Sequence, residues 1–176
     1  MSTALFIGRF QPFHLGHLSV IKKAISENDR LFIGIGSTEQ NFRPANPFTA
    51  GERFQMIEAA LDEAKIERTK YAIIPIRNIN NYALWPRHVA MHLPPFEKIY
   101  TGSETVKNLY ENENLTRKNP YEIINVAKEL KISSTQIREL ILTGGKWEIL
   151  VPPATAEFIA KLGGINRLKA VQEADK

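Results

Sequence analysis

Short apolar runs alternate with amphipathic stretches along the first 76 residues. The apolar runs are four to six residues long, which suits buried strands, and the stretches between them have the period of an amphipathic helix. The predicted elements, in the order strand, helix, strand, helix, strand, are Ala4–Ile7, Leu15–Glu27, Leu31–Gly36, Thr49–Ala64 and Tyr71–Ile76. This alternation predicts βαβ units and therefore a parallel sheet.

The alternation continues less regularly through the second half of the chain. The predicted elements there are a helix over Asn81–His92, a strand over Lys98–Thr101, a helix over Ser103–Tyr110, a strand over Tyr121–Val126 and a helix over Ser134–Thr143. Two further helices are expected at about 153–162 and up to Ala174. We predict one domain, with a core at about 4–143 and C-terminal helices at about 153–174.

The expected fold class is α/β, a doubly wound, Rossmann-like parallel sheet with helices on both faces. Ligands of such sheets bind at the carboxyl ends of the strands, so the chemistry is sought just after each strand. Two predicted helices begin with the spacing of a capping box, Thr49 with Glu52 and Ser133 with Gln136. Gly144-Gly145 is expected to end the second of them.

Composition narrows the function classes. The chain of 176 residues has 43% hydrophobic and 24% charged residues, which is ordinary for a globular protein, and no cysteine, which excludes thiolate chemistry and disulfides. No signal peptide or membrane span is expected, so a cytoplasmic protein is the default. The formal charge of +4 suits an anionic ligand, and because the basic residues are scattered, small polyphosphates fit better than nucleic acid.

The segment after the first predicted strand has residue types suited to phosphate. It reads Gly8-Arg9-Phe10-Gln11-Pro12-Phe13-His14-Leu15-Gly16-His17. Gly8 allows close approach of the backbone, Arg9 offers a fork of donors, and Gly16 leaves room beside a helix N-terminus, where N–H groups favour anions.

His14 and His17 are three residues apart, so both imidazoles are expected on the same side of the first helical turn. Taken alone, this spacing fits a pair of partly buried histidines or a metal pair as well as a phosphate site. The glycine between them, the nearby arginine and the position after the first strand favour phosphate. Zinc is disfavoured because the loop has no carboxylate to complete a site.

His14-Leu15-Gly16-His17 matches the His-x-Gly-His signature of the nucleotidyltransferase superfamily, and the ten-residue block resembles the archaeal-type nicotinamide-nucleotide adenylyltransferases. This resemblance covers most of the chain and is weakest across 111–131, to which we assign no function. It implies an enzyme that joins ATP and nicotinamide mononucleotide (NMN) to give NAD and pyrophosphate. It also implies Mg²⁺ with the ATP, no prosthetic group, no metal held by protein side chains, and a homo-oligomer.

The resemblance extends to three further blocks. Asn46–Arg53 resembles the next family block. By its residues alone, this segment is predicted to be a turn followed by a capped helix, in which Glu52 is structural and Arg53 lies on a solvated or partner-facing surface. Ile132–Arg138 resembles the Ser-x-Thr-x-Ile-Arg motif, a capped helix start whose arginine can reach the same phosphates as the first loop. Gly102 matches a family Gly-Asn segment near the nucleotide, although Ser103 departs from it.

The predicted site residues follow from this likeness. The catalytic residues are His14, His17, Arg9 and Arg138, and ATP is expected to contact Gly8, Arg9, Phe10, His14, Gly16, His17, Gly102, Ser133, Ser134, Thr135 and Arg138. The candidates for NMN are Asn78, Asn81, Tyr82 and Trp85. The Trp85 indole could stack on a pyridinium, but by sequence alone a core position is favoured, and only the family's Ala-Leu-Trp segment reverses that preference. Asn78 and Tyr82 depart from the residues expected in close relatives.

Three other functions stay open at this point. A sister enzyme could use another phosphate acceptor, such as nicotinic acid mononucleotide, phosphopantetheine or FMN. A kinase or ATPase is poorly supported, because the chain has no Gly-x-x-x-x-Gly-Lys-Ser/Thr segment and Gly34-x-Gly36 lacks the third glycine of a dinucleotide fingerprint. A non-catalytic nucleotide sensor or a nucleic-acid-binding module would show ligand binding without turnover.

Overall fold

Five parallel strands form the centre of the protein in a computed structural model that describes residues 1–126 and 132–175. Their order across the sheet is β3-β2-β1-β4-β5. The strand bounds are β1 Thr3–Gly8, β2 Arg30–Ile35, β3 Tyr71–Pro75, β4 Lys98–Thr101 and β5 Glu122–Asn125. The register pairs Gly8 with Ile35 and Phe6 with Tyr100, so β1 lies at the middle of the sheet. The strand prediction for 121–126 is confirmed.

Seven helices connect and cover these strands in the described part of the chain. Their bounds are α1 Leu15–Glu27, α2 Ala50–Glu63, α3 Trp85–Met91, α4 Glu104–Asn114, α5 Ser134–Thr143, α6 Pro153–Lys161 and α7 Gly164–Ala174. Short 3-10 turns occur at Arg68–Lys70 and Glu148–Leu150. None of the described helices is both long and apolar enough to cross a bilayer.

The two faces of the sheet carry separate apolar clusters, because successive side chains of a strand point to opposite faces. Ala4 and Phe6 of β1 pack on one face with buried residues of α1, α2, α5, α6 and α7. Leu5 packs on the other face with buried residues of α3 and α4. Helices therefore cover both faces, and the predicted doubly wound fold is confirmed.

The crossovers reverse direction at the centre of the sheet. From β1 the chain proceeds outward through β2 to β3, and it then returns to β4 on the opposite side of β1. The loops after β1 and β4 therefore diverge, which leaves a crevice at their carboxyl ends where ligands of such sheets bind.

The helix predicted over Asn81–His92 is wrong at its start. The helix begins at Trp85, and Pro86 occupies its first turn. A helix that began at Asn81 would place Pro86 in the interior, where the ring removes a hydrogen bond and clashes with a carbonyl one turn back. Asn81 instead closes a turn, because its Oδ1 accepts from the Leu84 N–H at 3.3 Å.

The predicted cap of α2 is confirmed in both directions. Thr49 Oγ1 accepts from the Glu52 N–H at 3.2 Å, and Glu52 Oε2 accepts from the Thr49 N–H at 2.8 Å. Glu52 also pairs with Arg167 of α7 at 2.6 Å, which agrees with a structural role. At α5, Ser133 Oγ accepts from the Gln136 N–H at 3.2 Å, and the described contacts do not include the reciprocal bond of the predicted box.

Removing the α2 cap is expected to lower the free energy of unfolding. Thr49→Ala leaves one N–H at the helix start without its acceptor, which costs about 1 kcal/mol. Urea unfolding measures this loss, and the exposed Thr69→Ala serves as a control that is expected to change stability little. Equal losses in the two variants would contradict the assigned role of the cap.

Candidate active site

A cleft of about 540 Å³ opens at the crevice between the loops that follow β1 and β4. Three segments line it: the loop and helix start after β1, the turn after β4, and the start of α5. All eleven residues predicted to contact ATP lie along its wall, namely Gly8, Arg9, Phe10, His14, Gly16, His17, Gly102, Ser133, Ser134, Thr135 and Arg138. Residues up to 130 positions apart in the chain are thus brought together, as the sequence predicts.

His14 and His17 form the cap of α1, which the sequence does not predict. His14 is the N-cap residue, and its Nδ1 accepts from the His17 N–H at 3.3 Å, while His17 Nδ1 accepts from the His14 N–H at 3.3 Å. The two rings stack at 3.5 Å between centroids, with 20° between their planes. Because each Nδ1 is an acceptor, a neutral ring carries its proton on Nε2. The predicted placement of both imidazoles on one side of the helix is confirmed.

The ring of His17 lies among aromatic side chains. Its centroid is 4.9 Å from that of Phe10, 5.6 Å from that of Phe13 and 6.1 Å from that of Phe6. Burial in these surroundings, and secondarily the charge of His14, holds the pKa of His17 well below its ordinary value. His17 is therefore neutral at physiological pH, and it acts as an N–H donor rather than as a cation.

Acidification is expected to destabilise the fold through His17. The unfolded chain takes up this proton near the ordinary pKa of about 6.5, whereas the folded protein takes it up only at lower pH. The neutral ring therefore contributes fully to the free energy of unfolding above about pH 6.5. At lower pH this contribution decreases by up to about 1.4 kcal/mol for each pH unit. Urea unfolding from about pH 7.5 to about pH 5 measures this slope. Over the same pH range, the free energy of unfolding of His17→Gln should decrease less than that of the wild type. An equal decrease in both proteins would contradict the assigned role of His17.

Two glycines are required by the rings of the loop. A Cβ at Gly16 would lie 3.1 Å from His14 Nδ1 and Cε1, and a Cβ at Gly8 would lie 3.0 Å from the ring of Phe10. Both distances are shorter than ordinary carbon contacts. The glycine of the His-x-Gly-His motif therefore makes room for the imidazole stack, in addition to leaving the helix N-terminus open.

Arg138 joins α5 to the first loop. Its side chain is buried, Nη1 donates to the Gln11 carbonyl at 2.8 Å, and Nη2 donates to Thr135 Oγ1 at 3.3 Å. Ser134 Oγ donates to the Pro12 carbonyl at 3.0 Å, so two bonds hold the start of α5 against this loop. The predicted contact between the first loop and the start of α5 is confirmed, and their binding of phosphate stays a prediction.

Positive charge exceeds negative charge at the cleft wall, where two arginines, Arg9 and Arg138, and one carboxylate, Glu104, lie. Arg9 is exposed at the rim of the cleft, and its charge, after the larger effect of burial, lowers the pKa of Arg138. A guanidinium remains charged at neutral pH even so. Like charges held this close favour an anion between them, since a shared anion relieves their repulsion.

Two residues, Gln11 and Arg53, support the loops of the site through buried hydrogen bonds that the sequence does not predict. Gln11 is buried, with Nε2 donating to the Phe48 carbonyl at 2.8 Å and Oε1 accepting from the Phe48 N–H at 3.0 Å. Arg53 is completely buried rather than solvated, so its predicted surface position is wrong. The available signal was its spacing, because Arg53 continues the buried stripe of α2 formed by Met56, Ile57, Ala60 and Leu61.

The residues predicted to contact NMN lie outside the wall of this cleft, in the connection between β3 and α3 and at the start of α3. Trp85 packs edge-on against Tyr110 at 6.0 Å between centroids, and Tyr82 is exposed. The Asn78 N–H donates to Glu39 Oε2 at 3.1 Å. Asn78, Asn81 and Tyr82 lie in the connection that follows β3, and Trp85 is the first residue of α3; their role stays a prediction.

Metal ligands are sparse in the described part of the chain. Among residues 1–126 and 132–175, no group of three or more His, Asp or Glu side chains is arranged to hold a metal ion. The donors at the cleft wall are mainly guanidinium, imidazole and hydroxyl groups. Such a wall suits a divalent ion that arrives on nucleotide phosphates, because Mg²⁺ commonly binds through phosphate oxygens and water.

Comparison with known proteins identifies a matching family model and relatives that cover nearly the whole chain. The family model described as cytidylyltransferase-like matches residues 5–140. The chain is 39% identical over 176 residues to the nicotinamide-nucleotide adenylyltransferase of Methanolobus tindarius, covering 100% of this chain and 98% of that relative. It is 42% identical to the protein of the same name from Methanococcus vannielii, covering 98% and 96% of the two chains.

Solved structures share the fold. The crystal structure of a bifunctional NMN adenylyltransferase/ADP ribose pyrophosphatase from Francisella tularensis superposes with a TM-score of 0.82 at 24% identity, over 99% of this chain. The present chain spans 53% of that longer protein. The nicotinic acid mononucleotide adenylyltransferase of Plasmodium falciparum superposes with a TM-score of 0.67 at 17% identity, over 94% of this chain and 97% of that one.

Proposed function

Because the chain belongs to the cytidylyltransferase-like family, and within it to the nicotinamide-nucleotide adenylyltransferases, we propose that it joins ATP and NMN to give NAD and pyrophosphate. The observation that carries this proposal is the cleft itself. The histidine pair of α1 and the buried Arg138 of α5 face one space, and bonds to the Gln11 and Pro12 carbonyls hold the two segments together.

The reaction transfers an adenylyl group. A phosphate oxygen of NMN attacks the α-phosphorus of ATP and forms a new P–O bond, while the bond from that phosphorus to the α,β-bridging oxygen breaks. The electron pair leaves with pyrophosphate. The attacking phosphate is already anionic near neutral pH, so no serine, cysteine or general base is needed, and positioning with charge stabilisation suffices.

The proposed roles follow from chemistry and position. His14 and His17 donate to oxygens around the reacting phosphorus and the bridging oxygen, where negative charge develops. Arg9 and Arg138 hold the β,γ-portion through paired N–H donors. The backbone at Gly8 and Gly16, the Phe10 ring, and the segments at Gly102 and 133–135 form the remaining wall toward ATP.

A divalent cation is expected to enter with the nucleotide. A structure of the Francisella tularensis protein is described as complexed with AMP and a manganese ion. We propose Mg²⁺ for the present chain, which when bound neutralises charge on phosphate oxygens. The cleft wall carries one carboxylate, Glu104, beside the cationic donors Arg9 and Arg138, so we expect the metal to be held chiefly by the substrate.

NMN is proposed to bind beside β3, where Asn78, Asn81, Tyr82 and Trp85 lie. The indole of Trp85 offers an aromatic face to a pyridinium ring, and the two asparagines offer amide groups to a carboxamide. A homo-oligomeric assembly and a cytoplasmic location also belong to this proposal, by family likeness and by the sequence respectively.

The decisive assay supplies ATP and Mg²⁺ with one acceptor at a time. We expect NAD and one pyrophosphate per NMN consumed, and no pyrophosphate when NMN is omitted. Nicotinic acid mononucleotide, phosphopantetheine and FMN are tested in parallel to identify the preferred acceptor. Faster turnover with phosphopantetheine or FMN would refute the assignment of NMN, and ATP binding without turnover of any acceptor would indicate a nucleotide sensor.

A further inference from the structure

Arg53 is a completely buried cation whose hydrogen-bond partners, in the described contacts, are all main-chain carbonyls, while the charges of Glu39 and Arg9 act on it with opposite signs. Its Nε donates to the Thr49 carbonyl at 3.2 Å, and Nη2 donates to that of Ser37 at 3.2 Å. Its Nη1 donates to the carbonyls of Arg9 and Gly36, both at 2.8 Å. The side chain is absent from the wall of the cleft, so it is not placed to touch a nucleotide there.

The two shortest of these bonds end on carbonyls that precede strained residues. Phe10 follows Arg9 with φ of 52°, and Ser37 follows Gly36 with φ of 51°. Residues other than glycine rarely adopt the left-handed region, and an aromatic residue there is a clear outlier that neighbouring contacts must maintain. The two loops also meet directly, since the Gly36 N–H donates to the Gly8 carbonyl at 2.9 Å.

We infer that Arg53 is a positioning residue, which fixes the loops after β1 and β2 in their left-handed turns and thereby aims Arg9 at the triphosphate of the nucleotide. An arginine is needed because its planar fork bonds several carbonyls at once, whereas lysine carries the same charge as a single point. The identity of the ligand rests on the proposed function, in which ATP occupies the cleft.

The inference is tested by a double-mutant cycle on ATP affinity, measured by titration calorimetry with Mg²⁺-ATP. Arg53→Lys should weaken ATP binding by about tenfold, comparable to losing a charged hydrogen bond. In the Arg9→Ala background the same change should weaken it less than about twofold, because the group that Arg53 positions is gone. A further tenfold loss there would show independent effects and overturn the inference.

Controls separate positioning from general damage. Arg30→Lys alters an exposed arginine at the start of β2, at the opposite end of the strands from the cleft, and should leave ATP affinity unchanged. Thermal unfolding of each variant verifies that the protein is folded at the assay temperature. If wild-type protein binds ATP but forms no NAD, the proposed function fails while the cycle still decides the role of Arg53. If it binds no ATP, both fail.

A measurement on the unmodified protein covers the case in which Arg53→Lys does not fold. Nuclear magnetic resonance of ¹⁵N-labelled side chains reports how fast guanidinium protons exchange with water. The Arg53 protons should exchange slowly and shift little when ATP is added, whereas those of Arg9 should shift strongly. Rapid exchange at Arg53, or a shift at Arg53 as large as that at Arg9, would contradict a fixed residue that acts from behind the loop.

Discussion

His17→Ala is expected to lower turnover at saturating ATP and NMN by roughly 10²-fold or more, as the loss of one donor to developing charge does in other enzymes. The stacked and capped geometry gives the reason. His17 Nδ1 accepts from the His14 backbone N–H, so the neutral ring carries its proton on Nε2. Alanine removes this donor without adding volume or charge.

The same substitution should leave the protein folded. It removes one of the two reciprocal bonds that cap α1, but alanine is favourable inside a helix. Thermal unfolding should therefore remain cooperative, with a modest change in midpoint. The matched control is His92→Ala, which alters an exposed histidine at the end of α3. Near-normal turnover in His17→Ala would refute its catalytic role.

Arg138→Lys is expected to raise the KM for ATP by roughly ten- to a hundredfold, with a smaller effect on the KM for NMN. Arg138 bonds both the Gln11 carbonyl and Thr135, and a planar fork can do this while still facing phosphate. Lysine keeps the charge but provides no fork, and its flexible chain cannot hold both segments together.

Steady-state kinetics with each substrate varied in turn measures this effect. The control is Arg68→Lys, because Arg68 pairs with Glu58 and Asp62 on the protein surface and faces no ligand site described above. Its kinetics should match those of the wild type. Equal increases in the KM for ATP and for NMN in Arg138→Lys would indicate general loosening of the cleft rather than loss of a phosphate contact.

The parts of the fold that could be predicted are those set by local patterns. The bounds of α1, β4 and α5 agree with the apolar periodicity and the turn residues at their ends. It could also be predicted that the segments which follow the strands lie close together, because the carboxyl ends of parallel strands meet at one edge of the sheet. The first loop and the start of α5 therefore converge, as Arg138 demonstrates through its bond to Gln11.

The role of Arg53 could not be predicted, because it depends on contacts with the main chain. Arg53 bonds carbonyls in two distant loops, and no side-chain pattern encodes which carbonyls a fold will leave unpaired. The charge of Arg53 favours a surface position, whereas its helical spacing with Met56 and Ile57 places it on the buried face of α2. The start of α3 was wrong because the apolar residues before Pro86 suggested a longer helix, although proline permits only the first turn.

The bond between Arg138 and Gln11 spans 127 positions of the chain, which has a consequence for synthesis on the ribosome. At about 5–20 residues per second, roughly 6 to 25 s separate the addition of the two partners. Near the end of that interval, after Asn125 and before Ser134 has been added, the nascent chain contains all five strands but no part of α5. The proposed ATP site includes Arg138, so ATP is expected to stabilise the folded chain only when translation is nearly finished.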